Sequence, residues 1–189
     1  EGTHHNALDD AKYQAQCIAA AHRGISAVRM AFKGQAGHAS AENALSLSAV
    51  HNAMRWGVDA LDFVKSQNHL RFGGLTGLRF NIGRVEGGIK ANMIAPSAEV
   101  RFGFRPLPSQ DMGALHAQFH DLANADALAE YEETFRGPSL PSGDVARAEE
   151  RRLAARDLAD ELGLPIDNAV DFWTEASLFS EAGMTALVY

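Results

Sequence analysis

The chain has 189 residues, 46% of them hydrophobic and 22% charged, with a formal net charge of −7. That length suits one ordinary soluble domain and part of another. The acidic balance disfavours nucleic acid as the main partner, because phosphate binding needs clustered Lys and Arg. A single cysteine, Cys17, excludes an internal disulfide, and no stretch reads as a secretory signal or membrane span, so a reducing cytoplasm is the expected compartment.

Residues 1–20 read as helical from about Asn6, and residues 1–24 are expected to form an N-terminal segment separate from the rest of the chain. From Ile25 the pattern changes. Val28, Met30 and Phe32 alternate with Arg29, Ala31 and Lys33, which predicts a half-buried strand. GQAGHAS, with two glycines, breaks it and carries His38. A helix is expected over Asn43–Lys65, with Leu47, Val50, Met54, Val58 and Leu61 spaced by three and four as its apolar stripe. A glycine-rich connection, residues 68–77, leads to a hairpin over Phe80–Pro106. There Phe80 and Ile82 mark one inner face, and Val100, Phe102 and Phe104 mark the other. Gly87-Gly88 supplies the turn, and Pro96 bars a ladder hydrogen bond before the second strand. Lys90, Asn92 and Arg105 are left without a packing role.

Ser109 is the expected N-cap of a second helix with Met112, Leu115, Phe119 and Leu122 inward. Tyr131–Phe135 reads as a fourth strand. The order strand, helix, strand, strand, helix, strand predicts an α+β two-layer domain over residues 25–137: a four-stranded antiparallel sheet with two helices on one face. An uncovered edge strand of such a sheet is a natural place for a second copy to add on. RGPSLPSGD, residues 136–144, reads as a linker. Beyond it, a helix over Val145–Leu162 with Leu153, Leu158 and Leu162 inward, then strand 169–170, helix 174–182 and strand 185–189, give an α/β rhythm. Residues 138–189 are therefore expected to be an incomplete α/β segment.

The run GRVEGGIKANMIAP followed by FRP resembles the lid, or dimerisation, domain of the zinc-dependent aminoacylase, acetylornithine deacetylase and succinyl-diaminopimelate desuccinylase family. The resemblance runs from about Ala21 to Tyr189. HRGIS, GQAGHAS, MRWG, RFGGLTGLRFNIGR, RGPSLPSGD and VDFWTEASLFSEAG are closest to its acetylcitrulline deacetylase branch. It implies amide hydrolysis of an N-acyl amino acid, of the N-acetylcitrulline or N-acetylornithine type, by zinc-activated water, with cobalt or manganese able to replace zinc. It also implies a cytoplasmic homodimer formed through the lid edge strand and helix. His38, in GHAS, takes the role of the lid histidine that steadies the tetrahedral intermediate in the partner's site. Asn92 binds the substrate carboxylate or the oxyanion, and Arg105 grips the α-carboxylate with its bidentate fork. Glu175, in a Trp-Thr-Glu-Ala run where the family has Gly-Thr-Asp-Ala, becomes a pocket residue. Glu1 aligns with a family metal ligand, though the following proline is missing and the spacing differs. The other metal ligands are expected outside this sequence, so the chain alone is expected to be inactive.

Two alternatives accompany that reading. The chain is a non-catalytic homodimerisation module, or, more distantly, part of a nuclease. HHNALDDA resembles the last motif of the DEDD-type 3'-5' exonucleases, with His5 as general base and Asp10 as metal ligand. His116 and His120 have the i, i+4 spacing that suits zinc, but no third ligand accompanies them, and a solvated helix face is the expected setting.

Overall fold

The computed structural model of the chain describes residues 18–167 and 169–188. Glu1, His5, Asp10 and the helix expected from Asn6 lie outside the described residues. In chain order the strands are β1 (Ile18–Ala19), β2 (Ile25–Lys33), β3 (Gly37–His38), β4 (Arg71–Phe72), β5 (Leu75–Thr76), β6 (Arg79–Gly87), β7 (Met93–Ile94), β8 (Ser97–Arg105), β9 (Leu128–Gly137) and β10 (Ile166–Asp167). The α-helices are α1 (Ala44–Leu47), α2 (Ala49–Ser66), α3 (Met112–Asp121), α4 (Ala148–Glu161) and α5 (Ala176–Glu181). Ile18 and Ala19, expected to be helical, instead pair in parallel with β10.

The expected sheet is present. Its order is β6–β8–β2–β9, every pair antiparallel. Strand alternation sends Val28, Met30, Phe32, Val100, Phe102 and Phe104 to one face, where α2 and α3 cover them. Trp56 of α2 lies 4.8 Å, ring to ring, from Phe102, and its indole N–H donates to the Phe119 carbonyl of α3 at 2.8 Å. Burying each large ring contributes about 1.5–3 kcal/mol, and the indole bond holds the two helices in register with the sheet. The turn after β6 depends on glycine at Gly88, where φ is +80°.

Several local expectations are corrected. The first helix is divided at Ser48, whose hydroxyl accepts the His51 N–H and so caps α2. The buried side of α2 is Ala49, Asn52, Ala53, Trp56, Gly57 and Ala60, while Met54, Val58 and Leu61 of the expected stripe are exposed. Small residues let the helix lie close on a sheet already filled by aromatic rings. The second helix is capped by Asp111 rather than Ser109, its carboxylate accepting the Ala114 N–H at 2.6 Å. Strand β9 is longer than Tyr131–Phe135, because its pairing with β2 shifts register twice and breaks the alternation that marks a strand.

After Gly137 the regular structure thins. The helix expected from Val145 begins as one 3₁₀ turn before α4. Leu153 and Leu162 point outward, and Ala148, Ala155 and Ala159 are buried instead. The strands expected at 169–170 and 185–189 are reduced to single-residue bridges, Val170 with His22 and Val188 with Ala19. Among the described residues no helix is long and apolar enough to cross a membrane.

Candidate active-site residues at two ends of the sheet

The candidate residues fall into two groups at opposite ends of the sheet. At one end, β3 and β7 form a short antiparallel pair with His38 opposite Met93, and the Ala39 N–H donates to the Asn92 carbonyl at 3.0 Å. His38 and Asn92 are thus neighbours although far apart in sequence. Both are exposed. The Ser40 N–H donates to His38 Nδ1, and the Ser40 hydroxyl lies 2.7 Å from the same nitrogen. An acceptor at Nδ1 places the proton of the neutral ring on Nε2, so His38 presents one outward N–H donor.

At the other end stands Arg105, the last residue of β8 and directly opposite Arg79 of β6. Beneath them is Arg23, fully buried. Its guanidinium donates to the carbonyls of Thr76, Gly77 and Arg105 and to Asp171, the last at 2.5 Å. Burial pushes the Arg23 guanidinium below its ordinary value, against the opposing pull of Asp171. Burial also works to raise Asp171, but the hydrogen bond and charge of Arg23, with the charge of Arg79, outweigh it and hold the carboxyl low. Sequence reading missed Arg23, Arg79 and Asp171. An arginine just before a half-buried strand was the available signal.

His22, next to Arg23, exchanges backbone hydrogen bonds with Leu140 and stacks edge-on against Phe172 at 5.5 Å. Its Nε2 is buried without a hydrogen-bond partner among the described residues. Trp173 donates to the Pro138 carbonyl and lies against Gly137, where any Cβ would strike its ring. Glu175 is exposed at the start of α5, with no side-chain bond to Arg105 among the described residues.

The His116–His120 pair is corrected in part. His120 is exposed beside Asp121, but His116 is not on a solvated face. Its Nε2 lies 2.8 Å from Glu133 and its Nδ1 2.8 Å from the Tyr131 hydroxyl, while Ser26 also donates to Glu133. Ser26 is fully buried, and these contacts tie α3 to the edge strand β9. Among the described residues no three His, Cys, Asp or Glu side chains converge as a metal centre requires. They therefore do not make a zinc, cobalt or manganese site.

Comparison with known proteins bears on this arrangement. Residues 20–130 match the peptidase dimerisation domain family. The chain is 72% identical over 169 residues to N-acetyl-L-citrulline deacetylase of Xanthomonas campestris pv. campestris, covering 89% of this chain and 46% of the relative. It thus spans about half the length of that relative. The fold is also that of part of aminopeptidase PepT from Bacillus cereus, with a TM-score of 0.57, 19% identity and coverage of 89% of this chain and 43% of that one. A hydantoinase/carbamoylase family amidase from Burkholderia multivorans gives a TM-score of 0.52 at 19% identity, covering 90% and 41%. The two-helix, four-stranded sheet and the long match across it lead to one conclusion: the chain belongs to the peptidase dimerisation domain family.

Proposed function

We propose that the chain is the lid and dimerisation part of a metal-dependent N-acyl amino acid deacetylase, acting on N-acetylcitrulline or N-acetylornithine type amides in the cytoplasm. In this reading residues 25–137 are the lid domain and 138–189 belong to the catalytic domain. Zinc, or cobalt or manganese in its place, belongs to ligands other than the described residues, and the chain by itself hydrolyses nothing. His38 donates Nε2–H to the developing oxyanion, Asn92 adds a neutral amide donor, Arg105 grips the α-carboxylate, and Glu175 lines the pocket.

The observation that carries the reading is the separation of the two groups. Strand β8 has nine residues, so Arg105 at its end and the His38–Asn92 pair beyond its start are about 26 Å apart. One small substrate cannot touch both within one copy. A twofold pairing of β6 with β6 of a second copy, antiparallel as a twofold demands, sets the Gly87 end of one strand beside the Arg79 end of the other. That brings His38 and Asn92 of one protomer toward Arg105 of its partner.

The β6 edge suits this pairing. Met54, Val58 and Leu61 of α2, with Val85 and Ile89, expose apolar surface beside it. A groove of about 740 Å³ between α1, α2 and the turn after β6 continues the surface. The opposite edge, β9, carries Glu130, Glu132, Glu133 and Arg136, charges that discourage strand addition. The apolar edge would equally serve a non-catalytic dimerisation module, so activity must decide.

The test is a graft in which this chain replaces the matching segment of the Xanthomonas enzyme. Hydrolysis of N-acetylcitrulline by the graft, with kcat lowered about 10²–10³-fold by His38→Ala, is the expected result. A folded, dimeric but inactive graft would favour the dimerisation module.

A further inference from the structure

The sheet face turned away from the helices is organised in rows across β6, β8 and β2. Arg79 stands opposite Arg105, Asn81 lies beside Gly103 and Ala27, and Arg84 lies beside Arg101 and Arg29. The middle row is small, and the face sinks there into a concavity of about 560 Å³ walled by arginines on both sides. The two walls are employed differently. Arg84 is held by Glu86 at 2.5 Å, Arg101 by Glu99 at 2.7 Å, and Arg29 by Glu130 and Glu132 at 2.7 and 2.9 Å.

At the other wall, three arginines, Arg23, Arg79 and Arg105, gather near one carboxylate that reaches only the first two. Asp171 lies 2.5 Å from Arg23 and 3.5 Å from Arg79, and the Arg105 guanidinium has no side-chain partner among the described residues. Three positive charges against one negative leave two unbalanced. Like charges directly opposite across a sheet are destabilising, and their Cβ atoms are only about 5 Å apart. An anion received between them removes that cost.

We propose that Arg79 is a substrate-binding residue that completes, with Arg105, a two-guanidinium clamp for the carboxylate of an N-acyl amino acid. The identity of the ligand rests on the deacetylase reading, whereas the anion site rests on the arginine cluster. Asp171 takes up one side of Arg79 and fixes its fork toward the concavity. Arg23, bonded to the Arg105 carbonyl, fixes the end of β8. The small row of Gly103 and Ala27 leaves room for the rest of the ligand above the strand.

The experiment tracks the arginine Nε–H resonances of the full chain by NMR, titrated with sodium acetate, with N-acetylcitrulline and with the primary amide of N-acetylcitrulline. Both carboxylates are expected to shift Arg79 and Arg105 together, and the amide to shift neither. Arg79→Gln should weaken carboxylate binding about tenfold, Arg79→Lys less, since it keeps the charge and loses the fork. Arg101→Gln, already neutralised by Glu99, should change nothing. Wild-type affinity in an Arg79→Gln chain with an intact backbone spectrum overturns the clamp, as does the absence of any carboxylate shift at Arg79. Acetate binding through both arginines, with an inactive graft, keeps the anion site and removes the deacetylase reading. An active graft whose KM ignores Arg79→Gln removes the clamp and keeps that reading.

Discussion

Apolar side chains are exposed both on the sheet layer, from Ile25 to Gly137, and on the stretch after it, and the causes differ. The sheet layer closes its own core: nine-residue strands, two capped helices and the Trp56–Phe102–Phe119 cluster bury one another. Of what it leaves out, Met54, Val58 and Leu61 belong to α2 and Val85 and Ile89 to β6 and its turn, whereas Phe135 is exposed on the opposite edge strand β9. After Gly137, among the described residues, no comparable core forms around α4 and α5, and Ala148 of α4 joins only a small cluster with Ala21, Phe72, Leu75 and Leu107. Leu153, Leu162, Phe172, Leu178, Phe179 and Met184 are exposed from helices and loops alike. That stretch is joined to the sheet layer by a mixed seam. His22 with Leu140 and Val170, Arg23 with Asp171 and Trp173 with Pro138 are polar contacts, while Ala148 packs with Phe72, Leu75 and Leu107 and Trp173 meets Phe135 edge-on. A layer that satisfies its own backbone can spend an apolar face on association. One with few strand partners among the described residues leaves apolar groups exposed from its helices and loops.

The two tryptophans report the two regions separately, Trp56 in the sheet core and Trp173 at the seam. The largest effect is expected from Trp56→Ala, about 3–5 kcal/mol for a buried ring of this size, read as a drop in the urea midpoint. Trp173 emission should be lost with it, since its ring rests on Gly137 at the end of β9. Survival of the Trp173 environment would break the comparison, making the second region self-supporting.

Asp171→Asn should cost about 1–2 kcal/mol, because it leaves buried Arg23 without its counter-charge while Asp171 itself is largely solvated. In a Trp56→Phe background the Trp173 transition should move to lower urea. Amide exchange of β2 and β8 should stay unchanged. Equal loss of protection in both regions would show that the seam and the sheet open as one unit.

Acid should loosen the seam in two stages. Burial, partly offset by the Phe172 carbonyl contact, holds His22 below its ordinary value. The unfolded chain therefore takes up this proton first, and the stability His22 contributes is full above about pH 6.5 and lost as pH falls from there through the folded value. Asp171, held low by its arginines, contributes above about pH 3.9 and loses that contribution as pH falls through its own depressed value. His22→Phe should remove the first stage from a pH series of Trp173 emission. An unchanged profile would place the acid response elsewhere.

The smallest effect on folding, within about 0.5 kcal/mol, is expected from Met54→Glu or Val58→Asp, which alter exposed positions. Their effect on mass in solution should be large, from dimer to monomer by sedimentation. A variant that remains dimeric would show that the α2 surface is not the association face.

The alternations Val28-Met30-Phe32 and Val100-Phe102-Phe104, and the Gly87-Gly88 turn, were legible in the sequence, because a strand's two faces follow from its period of two. The motifs around His38, Asn92 and Arg105 were legible as motifs. Helix α2 was legible as a helix but not as an orientation. Met54, Val58 and Leu61 of its regularly spaced apolar residues face outward, and Ala49, Ala53, Trp56 and Ala60 face the sheet, since the volume left by the aromatic cluster decides which side fits. Only the tertiary structure put Arg79 opposite Arg105 above buried Arg23. It also drew His116 into contact with Tyr131 and Glu133, and parted His38 from Arg105 by the length of a strand. Local pattern is written in neighbours along the chain. Charge balance and distance between sites depend on which strands lie side by side, and long-range pairing alone determines that.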